Sequence, residues 1–261
     1  MSNDSYPGQS PKREGTLLKF SHLVEYSEGQ ALQEKCHAER REDRRTDTLI
    51  LLEHQPVYTL GRRTAPSHLP RGRAALLATG ATVESANRGG SVTYHGPGQL
   101  VGYPILKLAH FATGPKQYVC LLAQMLIRTL TIWDIEASRL KGKPGLFVRS
   151  PDGMAKIASI GVRIDRGITM HGFALNVDLD LAPFSYIVPC GLSDSRVTSI
   201  AEQRGSSVPV SILMRQVADE FGEVFKLEWN SFQPGVIEQQ ATSSCLPTAD
   251  QQAIKEQILH A

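Results

Sequence analysis

Cys190 is the side chain of this 261-residue sequence best placed for nucleophilic chemistry, in the segment Pro189-Cys190-Gly191. A cysteine between a residue of fixed φ and a residue without a side chain is typical of a sharp, accessible turn. The alternative is an inert thiol, since free cysteine often behaves as a small hydrophobe. An ordinary thiol is only a few per cent thiolate at neutral pH, so a nucleophilic Cys190 requires a cation or a base nearby.

Lys156 and His95 are the candidate partners of this thiol. The run 155–164 has the period of a strand, which predicts that Lys156 shares a face with Ala158 and Ile160. A lysine on an apolar face either reaches water at a strand end or is desolvated, and desolvation turns its amine into a usable base. The sequence pattern is compatible with either a Cys–Lys pair or a Cys–His pair.

The segment 88–99, RGGSVTYHGPGQ, contains four glycines and one proline in twelve residues. Glycine allows the backbone to approach a ligand closely, and the apolar run that begins at Leu100 predicts a strand directly afterwards. The segment is therefore either a ligand-contacting loop that leads into the core or a plain glycine-rich hairpin loop.

The remaining pattern predicts one α/β domain over residues 16–230, between a disordered tail (1–15) and a polar tail (231–261). A helix is expected from Ser21 to Asp43, with charges that form a solvated face rather than a nucleic-acid patch. Further helices are expected at 73–78, 114–133 and 211–227, a loop at 141–145, and strands at 16–20, 48–52, 57–61, 81–86, 100–108, 146–148, 155–164 and 168–177.

Composition indicates an ordinary globular protein, with 41% hydrophobic residues and a net charge of +2. Four cysteines without a C-x-x-C pair suggest neither disulfides nor a zinc site, and no apolar run is long enough for a membrane span. We therefore expect a cytoplasmic protein. Eight basic residues against one acid between His54 and Trp133 give that segment a charge of about +7. This favours an anionic partner, unless folding scatters the charges.

Five segments resemble the lipoyl(octanoyl) transferase family, and the likeness extends from about Leu17 to Phe225. The segments are EHQPVYTLG (53–61), RGGSVTYHGPGQ (88–99), KIASIGVRI (156–164), HGFALNV (171–177) and PCG (189–191). Residues 149–154 look slightly extended relative to the family, and the tail after Asn230 has no counterpart in it.

The resemblance implies a mixed sheet flanked by helices, similar to the catalytic domains of biotin and lipoate protein ligases. It implies transfer of an octanoyl group from octanoyl-acyl carrier protein to a lysine of lipoyl domains, in 2-oxoacid dehydrogenases and the glycine cleavage H protein. No metal, cofactor, nucleic acid or membrane is implied. Cys190 would carry the acyl group and Lys156 would activate the thiol. The implied substrate contacts are Arg88, Gly89, Gly90, Ser91, Val92, Thr93, Tyr94, His95, Ser159, Ile160, Gly161, Gly172, Phe173 and Ala174.

Two rival functions remain at this point. An ATP-dependent lipoate or biotin protein ligase on the same fold would activate a free acid and would need no cysteine. A non-catalytic module that binds the acyl carrier protein would leave the thioester unchanged.

Overall fold

The structure is a computed structural model that describes residues 12–151, 153–188 and 196–234, with only the backbone described for 231–234. Its strands are β1 (Arg13–Val24), β2 (Asp47–His54), β3 (Val57–Leu60), β4 (Thr82–Ser85), β5 (Val92–His95), β6 (Gln99–Ile105), β7 (Ala137–Leu140), β8 (Lys143–Ser150), β9 (Gly153–Asp165), β10 (Ile168–Asn176), β11 (Arg196–Val197) and β12 (Leu227–Pro234). Its α-helices are α1 (Tyr26–Arg41), α2 (Gly72–Leu77), α3 (Pro115–Thr131), α4 (Ile200–Arg204) and α5 (Val210–Phe225).

The described strands form two sheets. The main sheet has the order β12-β1-β2-β6-β10-β9-β8-β7, and the short β11 also pairs with β9. Its β12-β1 and β1-β2 pairs are parallel, whereas the pairs from β2 to β7 are antiparallel. The small sheet has the order β4-β3-β5. This mixed sheet with flanking helices confirms the predicted α/β fold class.

Helices cover both faces of the main sheet because each helix buries one apolar stripe. On one face, α3 and α5 supply Leu122, Met125, Leu213 and Phe221 to the larger core. On the other face, Cys36 of α1 packs in a second core with residues of β1, β2, β6 and β10. The predicted helices at 114–133 and 211–227 are confirmed to within a few residues.

The first helix begins later than predicted. Ser21 does not cap it, because β1 continues to Val24, which pairs with His54 of β2. The helix then begins at Tyr26, and its preceding residue, Glu25, makes no side-chain capping bond. A short apolar run such as 16–20 does not show how far a strand extends when its partner lies elsewhere in the chain.

Pairing with a distant strand also makes both predicted tails slightly too long. Strand β1 begins at Arg13 and pairs in parallel with β12, which extends to Pro234. The backbone N–H of Arg13 donates to the carbonyl of Lys226 at 2.8 Å. Pairing between the two ends of the domain therefore orders residues 13–15 and 231–234, which the sequence pattern assigned to tails. Residues 143–145, predicted as a loop, belong to β8.

Within the described residues, no helix combines the length and the apolar character that a membrane-spanning helix requires.

Candidate active site

A cavity of about 540 Å³, including its open mouth, lies between β5 of the small sheet and strands β6, β9 and β10 of the main sheet. Thirteen of the fourteen residues predicted to contact substrate line it: Arg88, Gly89, Gly90, Ser91, Val92, Thr93, His95, Ser159, Ile160, Gly161, Gly172, Phe173 and Ala174. Tyr94 is the exception. Its ring packs instead against Tyr58 and Phe184.

The cavity has a partly exposed mouth and a buried inner end. Gly89, Gly90, Pro144, Ser159 and Gly161 are partly exposed, and they form the mouth. Tyr26, His95, Val101 and Tyr103 are buried, and they form the inner end. An elongated apolar group can therefore enter between the glycine segments and extend towards these rings.

Arg88 shapes the loop at the mouth. Its Nη2 donates to the carbonyl and the hydroxyl of Thr59 at 2.9 and 2.7 Å, and its Nη1 donates to the carbonyls of Ser91 and Gly89 at 2.8 and 3.1 Å. The side chain is 9% exposed. Arg88 therefore ties the glycine loop to β3 while it lines the cavity.

Close backbone approaches explain the glycines of this wall. A Cβ on Gly61 would lie 2.6 Å from the carbonyl oxygen of Gly90, and one on Gly161 would lie 3.0 Å from that of Gly89. The N–H of Gly89 donates to the carbonyl of Val162 at 3.0 Å. The glycine-rich segment 88–99 and the motif 156–164 therefore meet at the mouth.

His95 belongs to an ordered hydrogen-bond chain. The amide nitrogen of Gln99 donates to the carbonyl of Tyr94, so its oxygen accepts from His95 Nδ1 at 2.7 Å. His95 Nε2 then accepts from the hydroxyl of Thr59 at 3.3 Å. Burial strongly lowers the pKa of His95. Because both ring nitrogens have partners and the ring is kept neutral, this geometry disfavours His95 as the base for a thiol.

Two further histidine rings belong to quoted motifs: His54 packs beside the lining residues Tyr26 and His95, and His171 lines the cavity. His54 Nδ1 donates to the carbonyl of Val24 at 2.8 Å, and its Nε2 accepts from the hydroxyl of Tyr103 at 2.7 Å. Burial lowers the pKa of His54 to about 4. Burial also lowers the pKa of His171, which lines the cavity, to about 4, with the charge of Arg88 adding to the effect. These rings are therefore neutral at neutral pH.

His171 differs from its neighbours in backbone conformation as well. Its φ of 54° is unusual for a residue other than glycine, and its N–H donates to the side-chain oxygen of Gln33 at 2.8 Å. The ring Nε2 lies 2.7 Å from Asn87 Oδ1. His171 opens the quoted motif HGFALNV, a signal that could have identified it. Tyr26, Val101, Tyr103 and Pro144 carried no comparable signal.

Lys156 lies on β9 and is 3% exposed, so it does not reach water as a strand-end lysine would. Its predicted face is wrong. A β-bulge places Lys156 opposite Phe147 and Ala158 opposite Leu146, so the two β9 residues face opposite sides of the sheet. The bulge moves Lys156 to the face of Ser159 and Gly161, which line the cavity. Lys156 Nζ lies 5.4 Å from the centroid of the Phe147 ring, a cation–π arrangement.

Cys190 lies outside the described residues, so the structure does not report its distance from Lys156. The described residues on either side are nevertheless tied to the site. The N–H of Val188 donates to the carbonyl of His68, whose ring Nδ1 lies 2.6 Å from the Ser91 hydroxyl. After the gap, β11 pairs with β9 so that Val197 lies opposite Lys156. The described residues that flank the gap are thus linked on one side to Ser91 of the cavity wall and on the other side to the strand of Lys156.

Comparison with known proteins supports these observations. Residues 25–222 match the family described as lipoyl protein ligase A/B catalytic domain. The chain is 42% identical to an octanoyltransferase of Chloroflexus aurantiacus over 206 residues, which covers 78% of this chain and 92% of that one. It is 44% identical to an octanoyltransferase of Xanthomonas campestris over 190 residues, with 71% and 77% covered.

Solved structures agree on the fold. The bipartite lipoate protein ligase of Thermoplasma acidophilum superposes with a TM-score of 0.64 at 16% identity, covering 86% of this chain and 88% of that one. A lipoate-protein ligase A bound with ATP gives a TM-score of 0.61 at 15% identity, with 85% and 90% covered. The chain therefore belongs to the lipoyl protein ligase A/B catalytic-domain family and, within it, to the octanoyltransferases.

Proposed function

We propose that this octanoyltransferase moves an octanoyl group from octanoyl-acyl carrier protein to a lysine of a lipoyl domain through a thioester on Cys190. The observation that carries the proposal is a cavity lined by the predicted substrate residues, with a buried lysine on the same face of β9 as two of them. Relatives named octanoyltransferase support the identity of the acyl group. We further propose that the reaction takes place in the cytoplasm, where a free thiol stays reduced.

In the first half of the reaction, Lys156 takes the proton of the Cys190 thiol. The thiolate attacks the carbonyl carbon of the incoming thioester, and the bond to the phosphopantetheine sulfur breaks. That thiolate leaves as the thiol after it accepts the proton from Lys156.

In the second half, the amine of the acceptor lysine attacks the Cys190 thioester. An amide bond forms, the bond to the Cys190 sulfur breaks, and the proton lost by the amine returns through Lys156 to the cysteine.

The cavity suits the acyl chain. Burial of the methylene groups of an octanoyl chain, at about 0.8 kcal/mol each, gives roughly 5 kcal/mol of binding free energy. The depth of the cavity therefore contributes to the choice of chain length. Gly89, Gly161 and Gly172 line the cavity without side chains, and neighbouring backbone lies close to the positions that their Cβ atoms would take.

A ligase of the kind found among the structural neighbours is the rival function. Purified protein is mixed with octanoyl-acyl carrier protein and a lipoyl domain, with and without ATP, and octanoylation of the domain is followed by mass spectrometry. We expect transfer that does not depend on ATP and that falls at least a thousandfold in Cys190→Ser. Transfer from free octanoate that requires ATP and survives Cys190→Ser would establish the ligase instead. Binding of the carrier with an unchanged thioester would establish a non-catalytic module.

A further inference from the structure

A second recess lies between the exposed side of α1 and β4. It is lined by Ser27, Gln30, Ala31 and Glu34 of α1, by Val83, Glu84 and Ser85 of β4, and by Arg73. Tyr26 lines both this recess and the cavity. Among the described lining residues, it is the only one that the two spaces have in common. Its side chain therefore lies in the wall between them.

The Tyr26 ring is held firmly in this wall. It stacks on His95 at a centroid distance of 6.4 Å and an interplanar angle of 9°, and it meets His54 at 5.4 Å. It also packs in a small apolar cluster with Val57 and Ala86. Tyr26 is 3% exposed, and its hydroxyl has no hydrogen-bond partner among the described residues. Ring packing, rather than a hydrogen bond, therefore fixes its position.

The two sides of this wall differ in character. Rings and apolar residues line the inner end of the cavity, whereas charged groups of Glu34, Arg73 and Glu84 line the recess. Removal of the ring would join a buried space to a polar, more open one. An acyl chain longer than the cavity could then extend through the wall.

We propose that the ring of Tyr26 ends the acyl-chain cavity and so determines the longest acyl group that the enzyme accepts. The inference rests on the proposed function for the nature of the ligand. The proposal assigns the chain-length limit to an aromatic ring at the start of α1. This ring lies outside the segments 88–95, 159–161 and 172–174, which were predicted to contact substrate.

Binding of free fatty acids tests the role of the ring without any chemical step. Isothermal titration calorimetry with octanoic and dodecanoic acid should show at least tenfold weaker binding of dodecanoic acid to the unchanged protein. Tyr26→Ala should reduce this difference to less than threefold, whereas Tyr26→Phe should retain it, since the ring remains. Ser27→Ala, which changes only the recess, is the matched control and should also retain it.

The proposal is overturned if Tyr26→Ala keeps the preference for the shorter acid, if Tyr26→Phe loses it, or if the unchanged protein shows no preference or binds neither acid. If circular dichroism shows that Tyr26→Ala does not fold, Tyr26→Leu replaces it with the same expected direction, since leucine is shorter than the ring.

Transfer from octanoyl- and dodecanoyl-acyl carrier protein then separates this inference from the proposed function. The kcat/KM for octanoyl-acyl carrier protein divided by that for dodecanoyl-acyl carrier protein should fall at least tenfold in Tyr26→Ala. If the fatty acids bind in the expected pattern but neither donor supports transfer, the proposed function is contradicted. The role of the Tyr26 ring is then retained.

Discussion

At the scale of single residues, the decisive feature is the burial of Lys156 on the face of β9 that borders the cavity. A buried ammonium group near a thiol stabilises the thiolate, because the charge interaction is weakly screened away from water. His95 cannot serve in the same way without losing its bonds to Gln99 and Thr59. On the proposed function, buried Lys156 is therefore the better partner for Cys190 than His95.

Replacement of Lys156 should make the Cys190 thiol less reactive. In Lys156→Met we expect the rate of alkylation of Cys190 by iodoacetamide at pH 7 to fall at least tenfold, since the thiolate loses its cation. The rate is measured for each cysteine by peptide mass spectrometry. Cys120, which is exposed, should react as before, and buried Cys36 should stay protected if the fold is intact. An unchanged rate at Cys190 would show that Lys156 does not act on the thiol.

Residues in contiguous motifs were predictable, and those brought in by the tertiary fold were not. The segments 88–95, 159–161 and 172–174 could be identified because each one lies in a contiguous motif that resembles the lipoyl(octanoyl) transferase family. Tyr26 and Tyr103 reach the cavity from α1 and β6, and neither has a sequence signal that distinguishes it from a core tyrosine. The face of Lys156 was predicted wrongly because a period of two does not reveal a bulge.

At the scale of elements, the close pairing of β6 and β10 fixes the back of the cavity. A Cβ on Gly172 would lie 2.3 Å from the carbonyl oxygen of Gly102, and one on Gly102 would lie 2.1 Å from the Phe173 ring. Gly102 and Phe173 are direct partners in the antiparallel register. Gly102 and Gly172 allow β6 and β10 to approach closely, so the Phe173 ring can lie over Gly102 of the main sheet.

Gly172→Ala should therefore destabilise the protein. We expect the free energy of unfolding to fall by about 1–3 kcal/mol, because the added methyl group meets backbone that cannot move alone. Urea denaturation measures the change. Gly114→Ala is the matched control, since nothing lies within 4 Å of its Cβ position and its φ of 173° is extended backbone. The packing argument fails if the two variants are equally stable.

Most helices and central strands could be predicted because each shows its own period over many residues. The exceptions depend on distant partners. Strand β1 extends at both ends because β12 and β2 pair with it, and β11 exists only through its pairing with β9. No local pattern contains that information.

At the scale of the whole molecule, buried neutral histidines connect stability to pH. The pKa of His54 and that of His171 are both lowered to about 4 by burial. In the unfolded chain a histidine has a pKa of about 6.5, so the unfolded state binds more protons between about pH 4 and 6.5. The stability due to these groups is therefore present above this window and is lost as the pH falls through it.

We expect the free energy of unfolding to fall by about 2 kcal/mol for each of these two histidines between pH 7 and pH 5. Urea denaturation across this range measures the slope. His54→Gln should remove its share of the slope, whereas exposed His22→Gln should leave the slope unchanged. A slope that is the same in all three proteins would contradict the assignment.

The basic segment gives the molecule a face suited to an acidic carrier. Arg62 and Arg63 are exposed, and their backbone N–H groups donate to the carbonyls of Arg88 and Gly90 at the cavity mouth. The backbone of both arginines therefore lies beside the mouth at which, on the proposed function, the donor protein would approach.

Charge reversal at Arg62 and Arg63 should weaken use of the carrier protein but not of a small donor. We expect KM for octanoyl-acyl carrier protein to rise about tenfold, because attraction between the proteins is lost. KM for octanoyl-pantetheine should stay within about twofold. Lys116→Glu, an exposed charge on α3, is the control. Equal effects on both donors would argue against docking at these arginines.

The most direct test of the central claim is whether the acyl group rests on Cys190. The protein is mixed with octanoyl-acyl carrier protein in the absence of acceptor, quenched in acid, and its intact mass and peptide masses are measured. We predict a gain of one octanoyl group, located on Cys190, released by hydroxylamine and lost when a lipoyl domain is added. An active enzyme that carries no acyl group on Cys190 at any time before transfer would contradict the account.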